Sequence, residues 1–324
     1  LRDVLKRKYP ITEDWTGETF CGLHLDWDYA NGTVDLSMPN YVAKALQRFQ
    51  HPTPALPEHA PHDWIQPTYG SKQPQLTTTT DASPPLDKHG TKRLQEIIGT
   101  FLYYGRAIDN TMLVALNELG TAQAQGTEAT ALATIKLLNY AATYPDAMLR
   151  FYASAMVYRL HADASYLTAP KARSRVGGYH YLSDNTEDPP DNAPIHADVH
   201  ILRNVIASVA EAEVGGLFHN AQTGCPIRQT LIELGHPQPA TPIQTDNECA
   251  EGIMNGTVKQ RRSKAIDMRF YWLQDRIQQG QFRVYWIPGS TNKGDYLSKH
   301  HAPAHHRRMR PEYLHMPNAT PIHN

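Results

Sequence analysis

Residues 157–167 read VYRLHADASYL, and this stretch decides the fold. Tyr158, Leu160 and Ala162 fall on one face under a period of two, which predicts a strand. The alternation gives out at Asp163, so the acid stands where the strand runs into a loop. Working outward, the two-residue period covers 149–163 and returns at 176–182, predicting two strands, with a polar, proline-containing loop at 184–194. A helix is predicted at about 203–220 and a strand at 241–246. Helices follow near 247–255 and 264–279, with a last strand at 282–288. Strands first and then alternating helix and strand predict an α/β domain, a five-stranded mixed sheet with helices on both faces.

Upstream of residue 148 the pattern is different. Two short strands flank Asn31-Gly32 within 18–36 and read as a β-hairpin. Pro39 opens a helical segment carrying Tyr41, Val42, Leu46 and Phe49. Residues 50–90 are rich in proline and hold four threonines at 77–80, which predicts an extended linker. Helices are expected at about 91–107, 111–125 and 128–144, forming a small bundle. The expected division is therefore 1–155, mostly helical, and 156–324, α/β.

With 324 residues, about two domains are expected. There are 31 Lys+Arg against 32 Asp+Glu, which excludes a polycation that binds nucleic acid by bulk charge. No run approaches the roughly 18 apolar residues of a membrane helix, and no membrane partner is expected. Cys21, Cys225 and Cys249 are odd in number and far apart, which suits a reducing compartment. The first residues lack the apolar core of a signal peptide, so a cytoplasmic or nuclear location is expected.

The second half places acids at telling points. Asp163 and Asp246 end strands, Glu213 lies in line with Val209 and Leu217 on a helix, and Asp295 opens the last helical stretch. Carboxylates gathered in one place repel and need a counter-charge. Mg²⁺ prefers a few carboxylate oxygens, and two such ions can clamp both reacting oxygens of a phosphodiester. Strand-terminal aspartates also cap helices, and periodicity alone leaves open whether these four converge.

The strings LHADASYL (160–167), SVAEAEVGGLF (208–218), PIQTDNECA (242–250), KAIDMRFYWLQDRI (264–277) and VYWIPGSTNKGDYLSKH (284–300) occur in this order. Together they resemble the ribonuclease H domain of Ty1/copia-type retrotransposon polyproteins. The upstream strings FCGLHLDWDYANGTVDLSMPNYVAKALQRF (20–49) and IIGTFLYYGRAIDNTMLVAL (97–116) resemble the thumb- or connection-like end of the same family's reverse transcriptase. The resemblance implies a ribonuclease H-like fold and two Mg²⁺ or Mn²⁺ ions held by Asp163, Glu213, Asp246 and Asp295. It also implies hydrolysis of the RNA strand of an RNA–DNA hybrid. Asp163 would bridge both ions, Glu213 and Asp246 would serve the leaving-group side, and Asp295 would serve the side of the attacking water. Glu211 is the nearest misassignment. The implied partners are the hybrid and the upstream polymerase region.

The chain departs from that pattern in places. The Tyr-x-Asp-Asp polymerase motif is absent, so polymerisation by this chain alone is not expected. Gly289-Ser290-Thr291 stands where cellular ribonucleases H carry a catalytic-loop histidine. Segment 183–202 holds five acids and no Lys or Arg. One rival reading is a decayed remnant with at most weak nucleic-acid binding. Another is a DNA-directed nuclease of the same fold class.

Other motifs read less sharply. Lys171, Arg173 and Arg175, and Lys259, Arg261, Arg262 and Lys264, form basic runs suited to phosphates or to plain solvation. Asn247 suits either a 2′-hydroxyl or a helix cap. His300, His301, His305 and His306 lack zinc-finger spacing and are expected in a solvated tail. Tyr271, Trp272, Tyr285 and Trp286 are expected in the core. Gly177-Gly178 and Gly215-Gly216 lack a phosphate-loop context.

Overall fold

A computed structural model describes residues 2–64, 81–203, 206–258 and 267–317. The predicted basic run at Lys259, Arg261, Arg262 and Lys264 lies outside the described residues.

The chain begins with a short helix, α1 (Arg2–Lys6), and an antiparallel sheet. Its strands are β1 (Thr19–Phe20), β2 (Leu23–Asp28), β3 (Thr33–Ser37) and β4 (Met148–Tyr152), in that order. The predicted hairpin is its centre. The side chain of Asp28 accepts from the Asn31 amide at 3.0 Å, and Gly32 takes the left-handed φ of +63° that the turn requires.

The helical region contains α2 (Tyr41–Arg48), α3 (Lys88–Ala107), α4 (Leu113–Ala122) and α5 (Glu128–Thr143). Asp87 and Thr127 cap α3 and α5 by accepting from Gly90 and Thr130 amides. The predicted linker is corrected in its first part. Ala60 and His62 are buried, the Glu58 amide donates to Thr143 Oγ1 at 2.9 Å, and His59 meets the Tyr144 hydroxyl. Lys136 of α5 pairs with Glu58 at 3.3 Å and with Asp63 at 3.1 Å, which holds this segment against that helix.

The second sheet contains β5 (Val157–Ala169), β6 (Arg173–Ser183), β7 (Pro194–Ile201), β8 (Thr241–Thr245) and β9 (Phe282–Trp286). Its order is β7-β6-β5-β8-β9. The first three strands are antiparallel, and β8 and β9 run parallel to β5. Its helices are α6 (Val209–Glu233), α7 (Glu248–Met254), α8 (Asp267–Gln278), α9 (Lys293–Ser298) and α10 (Pro303–Tyr313). The expected five-stranded mixed sheet with flanking helices is present, with a helical region before it.

Three expectations fail here, the first being that the strand ends at Asp163: β5 runs on to Ala169, and Asp163 lies inside it, opposite Gly177. The single strand predicted over 149–163 is two strands in two sheets, broken where Met156 takes a φ of +58° and the Ala155 amide bonds Asp184. Strand β7 occupies part of the acidic segment that the sequence leaves without a strand.

One face of the second sheet packs against α6, with Leu160, Ala162, Val214, Leu217 and Ile243 in its core. The other face joins a larger core. Tyr179, Tyr181 and Val199 lie in one cluster with Phe101, Leu116, Leu138 and Tyr313. The change at residue 155 is thus a change of sheet within a continuous core. The tail expected to be solvated belongs to it. Arg310 of α10 is buried, pairs with Asp109 at 2.9 Å and donates to the Tyr140 hydroxyl. His301 and His306 are buried beside Tyr296.

Candidate metal centre

Strand register brings the first two acids together. Leu160 and His161 of β5 lie opposite Ile243 and Gln244 of β8 in parallel. Two residues further on, the same register sets Asp163 level with Asp246, at the carboxyl end of β8.

The third acid arrives on α9. Asn292 caps this helix, accepting from the Gly294 amide and donating to the Ala162 carbonyl, both at 2.9 Å. One side chain thereby fixes the start of α9 against β5, beside Asp163. Glycine permits the approach. A Cβ on Gly177 would fall 2.3 Å from the Gly294 carbonyl oxygen, and one on Gly294 would fall 2.9 Å from the Asp163 amide nitrogen. The Gly177-Gly178 pair is therefore a packing device on both faces of β6: Gly177 lies beneath α9, and a Cβ on Gly178 would fall 1.8 Å from the Asn220 side-chain oxygen of α6.

Asp163, Asp246 and Asp295 each present a carboxylate oxygen within 4.8 Å of the others. Glu213 lies outside this group of three but points toward it from α6. It feels the charges of Asp163 and Asp246. Glu211 faces away and accepts from the Ala207 amide at 2.8 Å, as part of the α6 cap.

Burial sets the electrostatics. Asp163 is 4% exposed and Glu213 is 6% exposed. Desolvation pushes the Asp163 carboxyl up to about 7, with Asp295 and Asp246 adding to the rise, while Lys299 and Ser298 oppose it. Desolvation, Asp163 and Asp246 hold Glu213 well above the usual glutamate range. Desolvation and then Asp295 raise Asp246. These acids lack enough positive charge around them, and hard oxygen donors of this kind suit a divalent cation such as Mg²⁺ or Mn²⁺.

Three neighbours lie inside the 284–300 string without a role at the site expected for them, and Trp286 is exposed rather than in the core expected for it. Ser298 Oγ donates to Asp163 and stands with Ser165, whose hydroxyl donates to the Ser298 carbonyl at 2.7 Å. Lys299 forms an ion pair with Asp295. Trp286 donates its indole N–H to the Asp246 carbonyl at 3.0 Å, and its ring is 44% exposed at the edge of the centre.

The remaining predicted residues divide. Asn247 caps α7, accepting from the Ala250 amide at 2.9 Å. Lys171 is exposed in the turn between β5 and β6, and Arg173 beside it donates to the Arg203 carbonyl. Arg175 does not reach the surface: it is buried and paired with Glu118 of α4 at 3.2 Å. Its alternate position on β6 turns it toward the helical region, away from solvent. Tyr271 is exposed, whereas Trp272 packs edge-on against Phe218.

No protein-family model and no curated protein matches the chain. Solved structures do. LC11 ribonuclease H1, in complex with an RNA/DNA hybrid, is similar at 12% identity and a TM-score of 0.34, over 44% of this chain and 93% of that one. The N-terminal ribonuclease H domain of rv2228c from Mycobacterium tuberculosis is similar at 14% identity and a TM-score of 0.31, over 48% and 97%. The foamy viral protease-reverse transcriptase in complex with double-stranded DNA is similar at 12% identity and a TM-score of 0.40, over 65% of this chain and 40% of that one.

Proposed function

We propose that the chain is the ribonuclease H and adjoining reverse-transcriptase end of a Ty1/copia-type polyprotein, and that it hydrolyses the RNA strand of RNA–DNA hybrids. The observation that carries the reading is the convergence of Asp163, Asp246 and Asp295 from two strands and a helix. Residues 1–155 form the reverse-transcriptase portion in this reading, and 156–324 the nuclease portion. The upstream polymerase region is the proposed partner.

Asp163, Asp246 and Asp295, with Glu213 behind them, would hold two divalent cations. When bound, the ions supply positive charge for the attacking and leaving oxygens of the phosphodiester. The protein's own work is positioning. The β5–β8 register aligns two acids, Asn292 and Gly177 seat the third, and Ser298 fixes the rotamer of Asp163. Lys171 and Arg173 are assigned to the phosphate backbone, which sets grip rather than sequence. Arg175 is withdrawn from that role by its burial. Asn247, next to Asp246, is assigned to a 2′-hydroxyl through its side-chain amide N–H, its oxygen being taken by the α7 cap.

A substrate panel tests this reading. Labelled RNA–DNA hybrid, duplex RNA and duplex DNA are incubated separately with the protein and Mg²⁺ or Mn²⁺. Cleavage confined to the RNA of the hybrid is the expected result. Cleavage of duplex DNA would move the assignment to a DNA-directed nuclease of the same fold class.

A further inference from the structure

Lys299 is the group in the centre that the proposed chemistry leaves unused. It is the residue after α9, four positions from Asp295, and its ammonium forms an ion pair with that acid. Asp295 in turn shares its 4.8 Å group with Asp163 and Asp246. The ammonium therefore contacts Asp295 and feels the charges of Asp163 and Asp246 beside it. Burial works against its charge, yet Asp163 and Asp295 outweigh that and hold the lysine above its usual range. A second basic group is not paired with the triad among the described residues.

A cationic side chain and a divalent ion compete for the same oxygens. Asp295 cannot offer its full charge to both, because a lysine ammonium and a metal ion repel at such separations. The lysine stem has four rotatable carbons, so the head can leave toward solvent without moving α9. Its side chain is already 39% exposed, which leaves it a path outward.

We propose that Lys299 is an internal counter-ion of the acidic centre: it holds Asp295, Asp163 and Asp246 together in the metal-free protein, and divalent-cation binding displaces it from Asp295. Lys299 thereby sets the metal affinity of the site and keeps the acids assembled until an ion arrives. The proposal rests on the metal-centre reading above. It makes Lys299 a positioning residue that acts through the carboxylates.

The test is calorimetric titration of the whole chain with Mn²⁺ at pH 8, comparing wild type, Lys299→Met, Lys299→Arg and Asp163→Asn. The expected result is Mn²⁺ binding about tenfold tighter in Lys299→Met, near wild type in Lys299→Arg, and lost in Asp163→Asn. Without metal, the melting temperature of Lys299→Met falls below wild type, and Mn²⁺ raises it by more than it raises wild type. A second measurement needs no disruptive variant. The lysine side-chain NMR signal missing from Lys299→Arg is followed in wild type during Mg²⁺ addition, and it is expected to shift. Wild-type binding with equal or weaker affinity in folded Lys299→Met, or a Lys299 signal unmoved at saturating Mg²⁺, overturns the counter-ion role alone. No Mn²⁺ binding by wild type overturns the metal centre and this role together.

Discussion

Asp163 and Asp246 stand level on adjacent parallel strands, because Leu160 and His161 of β5 pair with Ile243 and Gln244 of β8. Two like charges side by side are a cost in the absence of a cation. This cost has a direction with pH. Asp163 has a folded-state value pushed up from 3.8 to about 7, mainly by desolvation. Between those values the folded chain holds a proton that the unfolded chain releases, so this acid's contribution to stability falls as pH rises through the window. Asp163→Asn is expected to match or trail wild type at pH 5 and to exceed it in melting temperature at pH 8, both in chelator. An advantage that is the same at both pH values would contradict the assignment.

Buried histidines act in the opposite sense. Desolvation lowers His161 to about 4 and His180 and His306 to about 3. Below the ordinary value of 6.5 the unfolded chain takes up protons that the folded chain refuses, so stability is lost as pH falls. Each such histidine costs about 1.4 kcal/mol per pH unit in that range. Urea unfolding at pH 7 and pH 5 is expected to show a markedly lower midpoint at pH 5. His180→Gln, with its smaller proton uptake on unfolding, is expected to flatten the difference between the two midpoints.

Arg310 and Asp109 are 4% and 1% exposed at the side chain and lie 201 positions apart. Removing one partner strands a buried charge, at a cost of about 3–5 kcal/mol. Arg310→Met is expected to destabilise the whole chain by that amount, and Arg310→Met with Asp109→Leu by clearly less. Chemical denaturation of the two variants measures this. Because the pair ties α10 to the segment between α3 and α4, loss confined to the second sheet would contradict the continuous core.

Gly177→Ala probes the seating of α9. Its new methyl group meets the backbone of Gly294, Leu297 and Ser298, which cannot yield as a side chain would. A stability loss of about 1–3 kcal/mol is expected. A fall in hybrid cleavage beyond tenfold is expected from a protein that still melts cooperatively, because Asp295 moves with the helix. Unchanged cleavage would show that α9 need not touch β6.

Much of the centre was legible because its chemistry restricts residue types. The acids sit in short motif strings whose order along the chain carried the resemblance, although Asp163 lies within β5 rather than at the strand end expected for it. The partners of those acids did not stand out. Asn292, Ser298 and Lys299 fall within the 284–300 string, but they are ordinary polar residues whose roles follow from where α9 lands, and Gly177 and Gly294 decide that only through tertiary contact. Arg175 read as part of a basic run because its partner, Glu118, is 57 positions away. The break between β4 and β5 was hidden for a similar reason. The alternation continues through 149–163, and only pairing with β3 on one side and β6 on the other divides it. Strand β7 carries histidines and an aspartate on a half-polar edge, which gives little periodic signal.

In the proposed reaction the acids gathered around Asp163 do the chemistry. Its most direct test is cleavage of a labelled RNA–DNA hybrid by wild type and Asp246→Asn at equal concentration, with circular dichroism confirming that both are folded. Metal-dependent cleavage of the RNA strand by wild type and a loss of at least about a thousandfold in the variant are expected. Cleavage by folded Asp246→Asn at the wild-type rate would contradict it.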